Sequence, residues 1–358
     1  MTSHRNSEKT RADVYAVAAA ARVSVATVSR TLNGKTNVSP TLSKRVLRAV
    51  DELGYVRNAH ATSLRSACSG FLGLIISEPL IPCFIELIHH FEDAAFLQGY
   101  DLLIGTLNTT SRGADILVRH MIQRGVDGVA ILTSTLEEHF IDQFLQHNIR
   151  LLLTPGRMKP HVNNVNLDIG YAAHLAVQHL AVLGHRNIAY VREHSENVFL
   201  EMPPGAFSIA MSKIGLEVPK HRIIESRPDR HDRFNTLQEL LEQAPLPTAI
   251  VCSTDVVALK LLKAVLAEGL SVAGDMSVIG FGEIYLARHS TPPLTTVQMS
   301  QSDFAVHVIN LLCVSESQRK TERAKLPRIN WDVIVRQTTS FPRDSILNRK
   351  SNTDLFEN

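Results

Sequence analysis

The 358-residue sequence has only 4 cysteines, at 68, 83, 252 and 313, with no C-x-x-C pair among them. That excludes a disulfide-stapled scaffold, a zinc ribbon or a thioredoxin-type motif, and predicts reduced thiols. No stretch approaches the ~18 uninterrupted apolar residues of a membrane-spanning helix. The opening MTSHRNSEKTR is polar, without the apolar core of a secretory signal. A cytoplasmic protein with no membrane partner is expected. Catalytic signatures are also missing: there is no P-loop, no G-x-S-x-G and no H-E-x-x-H. Gly280-Phe281-Gly282 lacks the third glycine of a dinucleotide fingerprint and follows a late strand. The 16 histidines are dispersed. No enzyme activity, cofactor or metal is expected. The polar C-terminal stretch lacks an apolar heptad, so no tetramerising coil is predicted there.

What is present is unevenly distributed. The net charge of +2 conceals a basic head: residues 1–68 carry 11 Lys/Arg against 4 Asp/Glu, and the remainder 26 against 31. A head at +7 on a body at −5 suits a protein whose head alone meets a polyanion.

That head contains DVYAVAAAARVSVATVSRTLNG, residues 13–34. Val14, Val17, Ala18 and Ala21 recur at helical spacing, and Asp13 stands where a side chain caps the first turn. After the break Arg22-Val23-Ser24, Ser24 heads a second short helix. There Val28 and Leu32 point inward, and Val25, Ala26, Thr27, Ser29 and Arg30 are small or polar. A thin apolar stripe behind a small outer face suits the DNA major groove, which gives a helix-turn-helix. A third helix is predicted from Ser39 (cap) and Pro40 to Gly54, with Leu42, Val46, Ala49, Val50 and Leu53 as its core face. Arg30 can fork onto one guanine or clamp a phosphate. Val25 and Ala26 can make only apolar base contacts, and Ser24, Thr27, Ser29 and Asn33 carry polar groups for phosphates or base edges. Tyr15 either bonds a phosphate or packs.

SVATVSRTLNG, followed by VSPTLSKRVLRAVDELGYVRNAHATSLRS, resembles the head of the LacI/GalR regulators. PTAIVCSTDVVALKLLKAVLAEGLSVAGDMSVIGFGE and PPLTTVQ are similar to that family's core, and the resemblance spans roughly residues 13–340. It implies a base-reading pair at Val25 and Ala26, and an Arg of the family's type at Arg30. It also implies a hinge over Asn58, His60, Ala61 and Leu64, formed when two chains meet on DNA, with Leu64 wedged into the minor groove. The chain departs from the family at Ala16 (usually an acid), Arg22 (usually Gly) and Arg57 (usually Pro). The Arg22 departure strains the backbone if that turn needs φ > 0.

From Phe71 onward, apolar strands alternate with helical patterns in two series, which predicts two parallel sheets covered on both faces. The expected fold is an all-α helix-turn-helix head on an α/β core. That core consists of two doubly wound parallel-sheet subdomains like those of periplasmic binding proteins. The expected domains are 1–57 (head), 58–68 (hinge), 69–340 (effector-binding and dimerisation core) and 341–358 (a disordered tail). In the family the chain crosses back near its end, so TTVQM and the helix from Gln301 are expected in the first subdomain and WDVIV (331–335) in the second.

A cleft at the carboxyl ends of the strands is the expected ligand site. Its candidates are Glu78, Phe84, Arg157, Asp168, Arg192, Thr254, Asp255 and Glu283. Asp255 and Phe84 match the family, although Asp255 can equally cap the helix that follows it. Met202-Pro203, Gly282, Thr254 and Ile169 stand where the family usually has Arg, Asp, Asn and Asn, so partners for a neutral sugar are missing. Arg157 and Arg192 can pair a carboxylate, and G-F-G-E at 280–283 resembles family members that respond to sugar acids. The sequence therefore predicts a dimeric regulator, a repressor of a near-palindromic operator in double-stranded DNA, controlled by a small-molecule effector such as a sugar acid. The alternatives are a solute-binding protein, an effector-independent regulator or an enzyme with a DNA head.

Overall fold

The computed structural model describes residues 13–32, 38–55, 68–77, 83–107, 111–133, 136–154, 162–165, 167–193, 199–226, 236–243, 245–314 and 329–342. The chain divides into two compact units, Met1–Ser69 and Gly70–Asn358.

The first unit holds α1 (Val14–Ala21), α2 (Val25–Leu32) and α3 (Pro40–Leu53). Side-chain oxygens satisfy backbone N–H groups that the helix starts leave unpaired. Ala16 N donates to Asp13 Oδ1 (2.8 Å), Thr27 N to Ser24 Oγ (3.2 Å) and Leu42 N to Ser39 Oγ (3.4 Å). Gly54 closes α3 at φ 57°, a conformation a Cβ disfavours. Val17, Ala18, Ala21, Val28, Val46 and Ala49 form the buried centre. Leu53, predicted as core, is instead 40% exposed, because the centre is filled by the preceding turns of α3. Arg22, between α1 and α2, is left-handed (φ 50°, ψ 51°). Its carbonyl and that of Ala21 accept from the Arg45 guanidinium, which holds the turn against α3.

The second unit contains β1 (Phe71–Ile76), α4 (Cys83–Leu97), β2 (Asp101–Thr106), α5 (Ser111–Gln123), β3 (Gly128–Leu132), α6 (Glu138–Gln146), β4 (Arg150–Leu153) and β5 (Asn163–Asn164). These strands form a parallel sheet of order β2-β1-β3-β4-β5. Next come α7 (Ile169–Val182), β6 (Ile188–Glu193), α8 (Pro204–Lys213), β7 (Ile223–Ser226), α9 (Thr236–Leu241), β8 (Ala249–Cys252), α10 (Asp255–Ala267), β9 (Ser277–Phe281), α11 (Tyr285–His289), β10 (Thr295–Met299), α12 (Gln301–Cys313) and β11 (Trp331–Ile334). The second sheet runs β11-β10-β9-β8-β6-β7, parallel except for β11. β1, β3, β8 and β9 are buried along nearly their whole length, as strands covered on both faces must be.

One expectation is corrected. TTVQM, expected in the first subdomain, is β10 of the second sheet, where Thr295–Val297 pair with Ile279–Phe281 of β9. Both threonines are buried and use their hydroxyls there: Thr296 donates to Asp255, and Thr295 accepts from Arg336 N. The crossing comes one element later, at α12, which packs on α4, β3 and β4 of the first subdomain. β11 then returns to the second sheet, as predicted.

Candidate functional site

In the head, the residues aimed outward are those with no packing role. Ala26 and Arg30 are exposed on α2, and Tyr15 on α1 is 69% exposed, so it does not pack. Val25 is half-buried and packs in part against the head core, which corrects its placement on the outer face. Ser24 and Thr27 are engaged with each other, Oγ to Oγ1 at 2.9 Å, at the start of α2. Ser29 is half-buried. Asn33, Asn58, His60, Ala61 and Leu64 lie outside the described residues.

In the second subdomain the sequence candidates prove to be tied into the fold. Thr254, not Asp255, caps α10, accepting from Val257 N at 3.3 Å. Asp255 is fully buried and binds across the sheet end, with Oδ2 accepting from Ile284 N (2.8 Å) and Oδ1 from Thr296 Oγ1 (2.5 Å). Burial pushes its carboxyl up to about 6, against the opposing pull of the Thr296 and Ile284 bonds. A Cβ on Gly280 would come within 2.1 Å of Asp255 Oδ1, so the strand needs glycine at that point. Glu283 is 3% exposed and accepts from both Arg336 nitrogens, at 2.6 and 2.9 Å, with Arg288 at 3.2 Å. Its charge is balanced within the fold by these two arginines. Arg192 faces Glu201 at 3.3 Å, so its charge is balanced too. Asp168 caps α7 through Tyr171 N at 2.9 Å, and a cap is sufficient reason for its place.

In the first subdomain Phe84 is fully buried and stacks on Phe199, with centroids 5.5 Å apart, so it belongs to the core rather than to an open wall. Glu78 and Arg157 lie outside the described residues. Sequence reasoning missed the groups with buried polar atoms left over. Ser77 and Thr154, directly after β1 and β4, have buried hydroxyls without a hydrogen-bond partner among the described residues. The signal for them was a Ser or Thr at the end of each apolar run. The Gln301 amide oxygen is likewise buried and has no partner among the described residues. Gln301 lines an open cavity of about 470 Å³ together with Glu86, His89, His90, Arg288 and Gln298. Glu86 on α4 and Arg288 on α11 meet across it at 3.4 Å, joining the two subdomains.

A basic three-helix head, followed by a core with a five-stranded and a six-stranded sheet, has known counterparts. Residues 7–58 match the family described as bacterial regulatory proteins, lacI family, and residues 177–339 match a periplasmic binding protein-like domain. The HTH-type transcriptional repressor PurR of Actinobacillus pleuropneumoniae serotype 3 (strain JL03) is 30% identical over 339 residues, covering 94% of this chain and 98% of its own. Catabolite control protein A of Priestia megaterium is 28% identical over 334 residues, covering 91% and 98%. Among solved structures, the lac repressor dimer bound to operator and the anti-inducer ONPF superposes with TM-score 0.73 at 22% identity, over 92% of this chain and all of that one. The transcriptional regulator CelR–cellobiose complex gives 0.63 at 24%, again over 92% and 100%. At such identities the structures speak for the fold, and the curated relatives carry the kinship: this chain belongs to the LacI family of bacterial regulatory proteins, which are DNA-binding transcriptional regulators.

Proposed function

We propose that the chain acts as a repressor. As a homodimer it places one head on each half-site of a near-palindromic operator. It works without catalysis, in the cytoplasm. The observation that carries this reading is the capped α2 with Ala26 and Arg30 exposed on a head of net charge +7. Asn58, His60, Ala61 and Leu64 would form the hinge, with Leu64 as the wedge. The relatives' names, repressor and catabolite control protein, favour this over a solute-binding protein, and so does the DNA-binding head itself.

Control by a small molecule between the subdomains is part of the proposal. The buried hydroxyls of Ser77 and Thr154 and the Gln301 amide oxygen favour a polar effector, since each lacks a partner among the described residues and a ligand could supply one. A sugar acid remains the class proposed. Its support rests on Arg157, which follows the fourth strand in sequence, because Glu201 balances Arg192 and Glu86 and Glu283 balance Arg288.

The test is retardation of a palindromic duplex by the purified chain at rising salt. Affinity should fall steeply with salt on all DNA and retain a sequence-dependent part. Binding that shows no preference among duplexes would defeat the reading. Thermal shift with neutral sugars, sugar acids and sugar phosphates then assigns the effector class by mass action, and a response to neutral sugars alone would reject the sugar acid.

A further inference from the structure

Residues 199–203 of the β6–α8 connection, in the second subdomain, meet the start of α4 in the first. Phe199, from that connection, stacks on Phe84 at 5.5 Å and lies against Phe304 of α12 at 5.7 Å. Phe304 in turn meets Phe91 of α4 edge-on at 5.8 Å. All four rings are buried. Three of them belong to elements packed on the first sheet, and only Phe199 comes from the second subdomain. Its neighbour Leu200 stays against its own subdomain: a Cβ on Gly282, just past β9, would sit 3.9 Å from Leu200 Cδ2. The segment is held from behind, because Met202 N donates to Ser253 O (3.1 Å) and Met202 O accepts from the buried Tyr190 hydroxyl. A single apolar cluster thus runs through both subdomains at this point.

We propose that Phe199 is a built-in latch. Its ring fills the space between the subdomains and holds them together with no small molecule bound, and an effector entering there must displace it. Solute-binding cores of this shape close by gripping a ligand between two lobes. Here a side chain supplies the grip. Phe199 then sets specificity as well. A ligand succeeds only when its polar contacts outweigh the aromatic contacts it breaks, which raises the threshold for weakly binding sugars. The effector half of this statement rests on the function proposed above, whereas the latch itself does not.

The experiment uses the full chain and three variants. Phe199→Ala should enlarge the radius of gyration in small-angle scattering and lower operator affinity roughly tenfold. Toluene, which fits an aromatic-sized apolar cavity, should restore both. Phe207→Ala is the packing control: Phe207 stacks on Tyr190, a residue of the second subdomain, and on none of the rings around Phe199. It should lower the melting temperature without opening the core. A Phe199→Ala chain as compact as wild type overturns the latch. So does equal opening by Phe207→Ala, or an opened Phe199→Ala chain that toluene does not close. If Phe199→Ala fails to fold, Phe199→Leu carries the same scattering criterion. Should the wild type bind no palindrome, the regulator reading fails while scattering still decides the latch.

Discussion

The head and the core cleft keep their chemically suggestive side chains in opposite conditions. On the head, Arg30, Ala26 and Tyr15 are exposed and do no folding work, while the caps Asp13, Ser24 and Ser39 and six small or β-branched residues hold the helices. In the core, Asp255, Glu283, Arg192, Thr254, Asp168 and Phe84 are each already engaged by the protein. A surface meant for a large polyanion can leave its charges in water until the partner arrives. A cleft enclosed between two packed subdomains cannot, because an uncompensated buried charge costs several kcal/mol. A polar residue at a strand end is therefore weak evidence for a ligand in the core, and an exposed one on the second helix is strong evidence in the head.

The contrast breaks first, and hardest, at Glu283. Arg336→Ala removes its bidentate partner and a donor to Leu294 O, leaving a carboxylate that is 3% exposed with Arg288 alone. Denaturant unfolding should show a loss of about 3–5 kcal/mol; a loss within the range of ordinary surface changes would mean that Glu283 is less committed than its geometry indicates.

Next comes Asp255. Its carboxyl is raised from 3.8 to about 6 in the folded core, with burial as the main cause. The folded state therefore holds the proton more tightly. Its contribution is complete below the unfolded value and disappears as pH rises through the folded one. Asp255→Asn should remove that slope, so the stability difference between wild type and variant changes between 3.8 and about 6. Parallel pH profiles would show that Asp255 does not titrate in this range.

On the head, Arg30→Ala should cost roughly 1–3 kcal/mol of discrimination at one base pair per half-site. Binding measured on operators varied position by position checks this, and an equal loss on every sequence would assign Arg30 to phosphate. The smallest effect lies in the turn. Arg22 adopts φ 50°, which costs a residue with a Cβ about 1 kcal/mol. Arg22→Gly should raise the melting temperature of the head, and Arg45 should still reach the Ala21 and Arg22 carbonyls, since both are backbone groups.

The head was legible in the sequence almost residue by residue. Its signals are local: a cap, a helical period and a Gly54 stop all act within one or two turns. Leu53 was misplaced because a three-helix centre has room for only part of an apolar stripe, and Val25 because the start of α2 also packs on that centre. The strands of the core were equally legible, as GVAIL and SVIGF show, since a fully buried strand is an apolar run wherever it pairs. The assignment of TTVQM failed because pairing is non-local, and nothing within five residues says whether a strand lies against β9 or crosses over.

The amino-acid sequence by itself determined the helix-turn-helix, its exposed Arg30, the two βα series and the family to which they belong, because periodicity, caps and composition are properties of neighbouring residues. Only the tertiary structure decided that Glu283 belongs to Arg336, that Asp255 ties α10 to β10, and that Phe199 lies on Phe84. Those partners are separated by 53, 41 and 115 positions. At such distances the fold alone brings charges and rings together, and only then does burial decide which of them remain available to a ligand.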